Sequence, residues 1–219
     1  MSGAHINPAA TLAFALNGQL KWKLVPVYML AQYTGAFLAA LVLFLNNYEA
    51  IMAVDGGQHS ASGATNSTGL IFATYPAPYL TIWGGLLDQI IGTAVLLFSL
   101  CAVNDQSNHG LESKHQPLAI ALVVGIVCVS FNANCGAIFN PARDLSPRIV
   151  TYIFSYPLVW EPLNGLYWIV VGVIGPHLGA IIGLFGYKFT IGWALGCHER
   201  QLHSLGAAGG DSGRFKERD

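Results

Sequence analysis

One seven-residue pattern occurs twice in this chain, and that duplication limits what it can fold into more than any other feature. Gly3-Ala4-His5-Ile6-Asn7-Pro8-Ala9 returns, 133 residues later, as Gly136-Ala137-Ile138-Phe139-Asn140-Pro141-Ala142, with Arg143-Asp144 after the second copy. Asparagine caps helix N-termini, and proline suits the first helical position, where its missing N–H would be unpaired anyway. Each copy therefore predicts a loop that ends in a short helix, with the positive end of the helix dipole at the asparagine. Asn7 to Leu16 and Pro141 to Phe154 are half-spans, well short of the roughly 20 residues a full crossing needs.

Composition sets the surroundings of these helices. Hydrophobic residues make up 53% of the 219, charged residues only 10%, and mean hydropathy is +0.51. A soluble domain carries about 25% charged residues, so the chain reads as an all-α membrane protein. The net charge of −1 and the lack of a basic run exclude a nucleic-acid partner. Cys101, Cys128, Cys135 and Cys197 show no metal-ligand spacing, and neither metal nor cofactor is expected. No cleavable signal peptide is visible. Apolar segments at Trp22–Leu45, Thr81–Val103, Pro117–Phe131 (the shortest) and Leu166–Tyr187 predict four spans, with Asn46–Leu80 and Asn104–Gln116 as polar connections.

Charge orients the spans. Of ten cationic residues, eight (Lys21, Lys23, Lys114, Lys188, Arg200, Arg214, Lys216 and Arg218) fall on one side of this arrangement. The positive-inside rule makes that side cytoplasmic, together with the polar tail. Asn66-Ser67-Thr68 is a glycosylation sequon in the loop this places outside, with Asn66 as acceptor. The repeat also extends past the boxes, since Gln32-Tyr33-Thr34-Gly35-Ala36 parallels Pro176-His177-Leu178-Gly179-Ala180. Units separated by an odd number of crossings point opposite ways, so the half-helices enter from opposite faces and meet at midplane.

Both boxes, with Arg-Asp after the second, resemble the pore boxes of the aquaporin superfamily. Asp144 points to its glycerol-conducting branch, the aquaglyceroporins, and Phe72-Ala73-Thr74-Tyr75-Pro76 is similar to that branch's Phe-x-Thr-Tyr-Pro. The resemblance runs from Ser2 to about Tyr187. It implies an aquaporin-like inverted repeat with two re-entrant half-helices, in a channel domain of residues 1–190 followed by a disordered cytoplasmic tail, 191–219. It further implies a passive channel, not an enzyme, for glycerol, water and similar small neutral solutes, forming a homotetramer within plasma-membrane lipid. The family has two spans before the first box. The resemblance therefore implies an N-terminally incomplete member with four full spans, and residues 1–219 alone are expected not to conduct.

The resemblance also assigns roles. Asn7, Pro8, Ala9, Asn140, Pro141 and Ala142 form the pore boxes, and the two asparagines donate to a passing hydroxyl. Backbone carbonyls of Gly3, Ala4 and His5, and of Asn134, Cys135, Gly136 and Ala137, supply acceptors. Arg143 lies at the outer selectivity filter, its alternative being an interfacial arginine that snorkels. Ala137 and Cys128 occupy filter positions where the branch often has an aromatic and a glycine, which suggests a wide mouth. Asp144 marks the branch and also complements the helix dipole. Asp88, inside a span, is expected to anchor the second box's loop by accepting backbone N–H bonds, proton relay being the alternative. His5 reads as a loop-holding ring and not a metal ligand. Cys135 is either a pore-facing target of mercurials or a buried inert thiol. Gly175, Gly179 and Gly183 form a small-residue face for intrachain packing or subunit contact. Two other readings of function remain: a non-conducting subunit that modulates full-length channels, and a secondary transporter.

Overall fold

A computed structural model describes residues 5–62, 66–108 and 111–196, all helical or irregular, with no strand among them. Of the expected disordered tail, 191–219, residues 191–196 instead continue a long helix that ends at Gly196; the rest of it, and the carbonyls of Gly3 and Ala4, lie outside the described residues.

Each box starts a helix as its capping residues dictate. Asn7 caps α1 (Pro8–Leu16) by accepting from the backbone N–H groups of Ala9 and Ala10, and Asn140 caps α7 (Pro141–Ile153) through Ala142. Pro147 sits inside α7 and removes the N–H that would close onto the Arg143 carbonyl. The long helices follow the hydropathy. α2 spans Val25–Asn46, and α4 spans Ile82–Asn104 with Thr81 as its N-cap. A third long helix, Tyr167–Gly196, contains α8 (Gly175–Tyr187). Its first turns, Tyr167–Ile174, are wound one residue wide, so that the Gly175 N–H reaches back to Val170. Pro176, which cannot donate, sits where that winding ends.

Among the described residues three helices are thus long and apolar enough to cross a membrane, not four. The fourth expected span is α5 (Gln116–Ser130), whose 15 residues reach only about 22 Å of a roughly 30 Å hydrocarbon core. The chain breaks at Phe131, makes a single turn, α6 (Asn132–Cys135), and leaves through Gly136 at φ +70° toward the second box. The connection 46–80 contains a helix that hydropathy missed, α3 (Tyr48–Asp55), ended by left-handed Gly56.

α8 packs along α4, and the small-residue face explains how closely. A Cβ at Gly179 would come within 2.5 Å of the Ile90 carbonyl, and one at Gly183 would collide with that of Ala94. This face therefore serves packing within the chain. Gly35, its counterpart in α2, meets nothing within 4 Å. α2 shows exposed Val27, Leu30, Leu38 and Val42, and α5 shows Leu118, Leu122, Ile126 and Val129. Such outward apolar faces suit a bilayer, where apolar surface carries no cost.

Candidate functional site

The two boxes meet head to head. Asn7 Nδ2 donates to the Phe139 carbonyl at 2.8 Å, and Asn140 Nδ2 donates to the Ile6 carbonyl at 2.8 Å. Ile6 and Phe139 occupy the same place in the two copies and share a left-handed backbone, φ 41° and 40°. That conformation is costly for a β-branched or bulky residue, about 1–3 kcal/mol each, and it aims each carbonyl at the other box's asparagine. The positive ends of α1 and α7 therefore face one junction.

Beside the junction lies a cleft of about 940 Å³, lined by His5, Ile6, Asn140, Ala142 and Arg143 and by an α2 wall that includes Tyr28, Gln32, Gly35 and Ala39. His5 holds the first loop. Its Nδ1 lies 3.2 Å from Thr11 Oγ1, and its ring lies against Phe14 and Tyr28. The Thr11 hydroxyl gives its one proton to the Asn7 carbonyl, so it accepts from Gln32 Nε2 at 2.8 Å and from His5 Nδ1–H. In the neutral ring this leaves His5 Nε2 as an acceptor. Gln32 Oε1 has no protein partner among the described residues.

Of the three expected filter residues, Arg143 lines the cleft, its Nη1 donating to the Phe72 carbonyl at 3.1 Å. Ala137 and Cys128 pack instead against a cluster that contains Val127, Phe139 and Leu97. Three of the four expected carbonyls before the second box have partners within the protein. The carbonyl of Asn134 accepts from the Ala77 N–H at 2.7 Å, that of Cys135 from the Tyr167 hydroxyl at 2.8 Å, and that of Gly136 from Gln89 Nε2 at 3.1 Å. Irregular backbone in apolar surroundings must find partners, and these carbonyls find them in the protein. Cys135 is fully buried, its thiol donating to Asp88, so it lacks the exposure a mercurial requires.

Asp88 anchors this loop through side chains, not through the backbone N–H groups expected. Its carboxylate accepts from Asn134 Nδ2 at 2.7 Å, Gln89 Nε2 at 3.0 Å and Cys135 Sγ at 3.3 Å. The backbone contact belongs to its neighbour: Gln89, wholly buried, accepts from the Phe139 N–H at 3.1 Å. A polar residue next to an intramembrane acid was the available signal; both turn inward, and only the packed loop divides its contacts between them.

Sequence reasoning also missed Arg148. It is fully buried, its Nη2 3.0 Å from Asp144 Oδ2, and its Nη1 donates to the Val159 carbonyl at 2.7 Å. Its guanidinium also lies 4.8 Å from the Tyr75 ring centre. The i,i+4 spacing of Asp144 and Arg148 was legible; that the pair is buried was not. Asp144 therefore carries a buried ion pair as well as facing the helix dipole. Asn66 is exposed at a turn, while Thr68 of the same sequon is buried and donates to Asp55 at 2.7 Å. His177 donates back to its own helix at the Val173 carbonyl, 2.8 Å away.

Comparison with known proteins supplies the family context. The family model described as Major intrinsic protein matches residues 1–187. Human Aquaporin-9 is 41% identical over 192 residues, covering 87% of this chain and 64% of that protein. Human Aquaporin-10 is 38% identical, covering 87% and 63%, and Aquaporin-2 of Milnesium tardigradum is 39% identical, covering 88% and 59%. The chain thus spans about three fifths of the length of these relatives. The X-ray structure of the aquaglyceroporin from Plasmodium falciparum superposes with a TM-score of 0.75 at 22% identity, covering 89% of this chain and 76% of that one, a likeness of fold. None of these findings supports a non-conducting modulatory subunit.

Proposed function

The chain belongs to the major intrinsic protein family of membrane channels, and we propose that it forms a passive path for glycerol, water and similar small neutral solutes. The observation that carries this reading is the reciprocal Asn7–Phe139 and Asn140–Ile6 pairing beside a polar strip in an apolar cleft. A side-chain amide has two N–H donors. Each asparagine uses one to fix the other box, which leaves the second for a passing oxygen. A water that accepts from both asparagines has its lone pairs occupied and relays protons poorly, and the facing dipoles repel cations. Arg143 adds fixed donors at the outer end. His5 Nε2 and Gln32 Oε1 offer acceptors. A polyol suits such a strip because each hydroxyl both donates and accepts.

The strip is open on one side among the described residues. Polar backbone facing lipid costs several kcal/mol per unsatisfied group, so the conducting form has this side closed by further protein, which we assign to two apolar spans ahead of the first box. The same reading makes the protein a homotetramer of the plasma membrane, with residues 1–190 as the channel domain, a cytoplasmic tail 191–219 and a glycan on Asn66. Glycerol-driven swelling of proteoliposomes, with and without an imposed proton gradient, tests the passive mechanism. The expected flux is the same in both conditions. A flux that appears only with the gradient would replace the channel by a secondary transporter.

A further inference from the structure

We infer that Thr74 is a positioning residue that couples the buried Asp144–Arg148 pair to the outer wall of the cleft, an inference that rests on the channel reading above. Thr74 is buried and does not line the cleft, yet it bonds in several directions. Its backbone N–H and its hydroxyl both donate to Asp144 Oδ1, at 2.7 and 2.6 Å, and its carbonyl accepts from Arg148 Nη2. Its hydroxyl oxygen lies 3.0 Å from that of Tyr167, which holds the Cys135 carbonyl. Its methyl faces the second box's loop, where a Cβ on Gly136 would come within 2.9 Å of Thr74 Cγ2.

The irregular segment around Thr74 is tied at both ends to the site. Two residues earlier, the Phe72 carbonyl fixes the Arg143 guanidinium; three residues later, the Ala77 N–H fixes the Asn134 carbonyl. Residues 72–77 therefore form a strap with Thr74 as its central fastening. Threonine suits the place because one Cβ carries both the hydroxyl that meets Asp144 and the methyl that meets Gly136. Loss of the hydroxyl leaves the strap held at Thr74 by backbone bonds alone, which lets the Phe72 carbonyl drift and Arg143 swing further into the cleft, where it obstructs glycerol more than water.

Thr74→Val keeps the shape and removes the hydroxyl, whereas Thr74→Ser keeps the hydroxyl. In oocytes expressing the whole protein, with fluxes normalised to subunits at the surface, Thr74→Val should lower the glycerol-to-water permeability ratio. The expected drop is about threefold to tenfold, the range set by one net hydrogen bond, and Thr74→Ser should restore the ratio. A parallel fall of both fluxes at an unchanged ratio would overturn the coupling, because a merely structural loss acts on both solutes alike. Hydrogen exchange gives a readout independent of transport. Peptides covering residues 134–140 should exchange about tenfold faster in Thr74→Val, and unchanged exchange there would overturn the inference. Absence of glycerol flux in the unsubstituted protein would count against the channel reading alone, with the exchange measurement still deciding the role of Thr74.

Discussion

Asn7 and Phe139, 132 positions apart in sequence, are joined by a 2.8 Å hydrogen bond from the asparagine's amide to the phenylalanine's carbonyl. Its mirror, Asn140 to Ile6, has the same length. The two bonds fasten the half-helices tip to tip, and the left-handed carbonyl-bearing residues hold their strain because each is bonded from the other side.

Asn7→Ala should therefore cost more than a cap. Loss of the cap is worth about 0.5–2 kcal/mol, and the orphaned Phe139 carbonyl adds about 1–3. Thermal unfolding in detergent of Asn7→Ala, Asn140→Ala and the double variant should give a coupling of about 0.5–3 kcal/mol, since breaking either bond loosens the junction the other needs. Strict additivity would mean that the two bonds act independently.

Arg148→Met should destabilise the protein by about 3–5 kcal/mol, because it leaves the Asp144 carboxylate buried without its partner. Arg148→Lys should recover only part of this loss. A single ammonium cannot reach Asp144, the Thr74 carbonyl and the Val159 carbonyl with the geometry of a planar fork. Full stability of Arg148→Lys would show that charge alone matters there.

Much of this architecture was legible in the chain. The duplicated boxes gave both half-helices and their caps to within a residue, because Asn-Pro is a local signal that needs no tertiary context. The spans around α2, α4 and α8 followed from hydropathy. The site was less legible where partners are distant in sequence. Asp88 was visible as an intramembrane acid, but the residue that grips the Phe139 backbone is Gln89, and the packed loop decided which. The second box's carbonyls were expected in the pore, and the bonds that those of Asn134, Cys135 and Gly136 accept from Ala77, Tyr167 and Gln89 depend on long-range packing. α3 was hidden because Glu49 and Asp55 lower the hydropathy of a helix that packs at the end of α2.

The connection 46–80 carries a pH dependence of its own. Burial pushes the Asp55 carboxyl up, but hydrogen bonds from Thr68, His59 and the Gly57 N–H outweigh it and hold the group below its ordinary value of 3.8. A carboxyl lowered by folding contributes stability above its unfolded value and loses it as pH falls through the folded one. Asp55→Asn should therefore melt below the parent at pH about 5 to 7, and the gap should close as pH falls below the ordinary value. A gap independent of pH down to that range would remove the carboxylate from the account.

Cys135→Ser should leave sensitivity to mercurials unchanged, since the thiol is fully buried and bonded to Asp88 and Gln89. Inhibition kinetics of the parent and of the variant, compared at equal surface expression, check this. Abolished inhibition in the variant would mean that the loop opens far enough to expose Cys135.

Stopped-flow permeability of two reconstituted proteins decides whether the paired boxes conduct: residues 1–219 alone, and the same chain with two apolar spans ahead of the first box closing the cleft. The closed form should pass glycerol and water well above protein-free liposomes. The chain alone should stay near background, because the cleft beside the boxes would then open onto lipid, where polar groups cost several kcal/mol each. Glycerol permeability of the closed, correctly inserted form no greater than that of protein-free liposomes would contradict the account of these boxes as a glycerol-conducting pore.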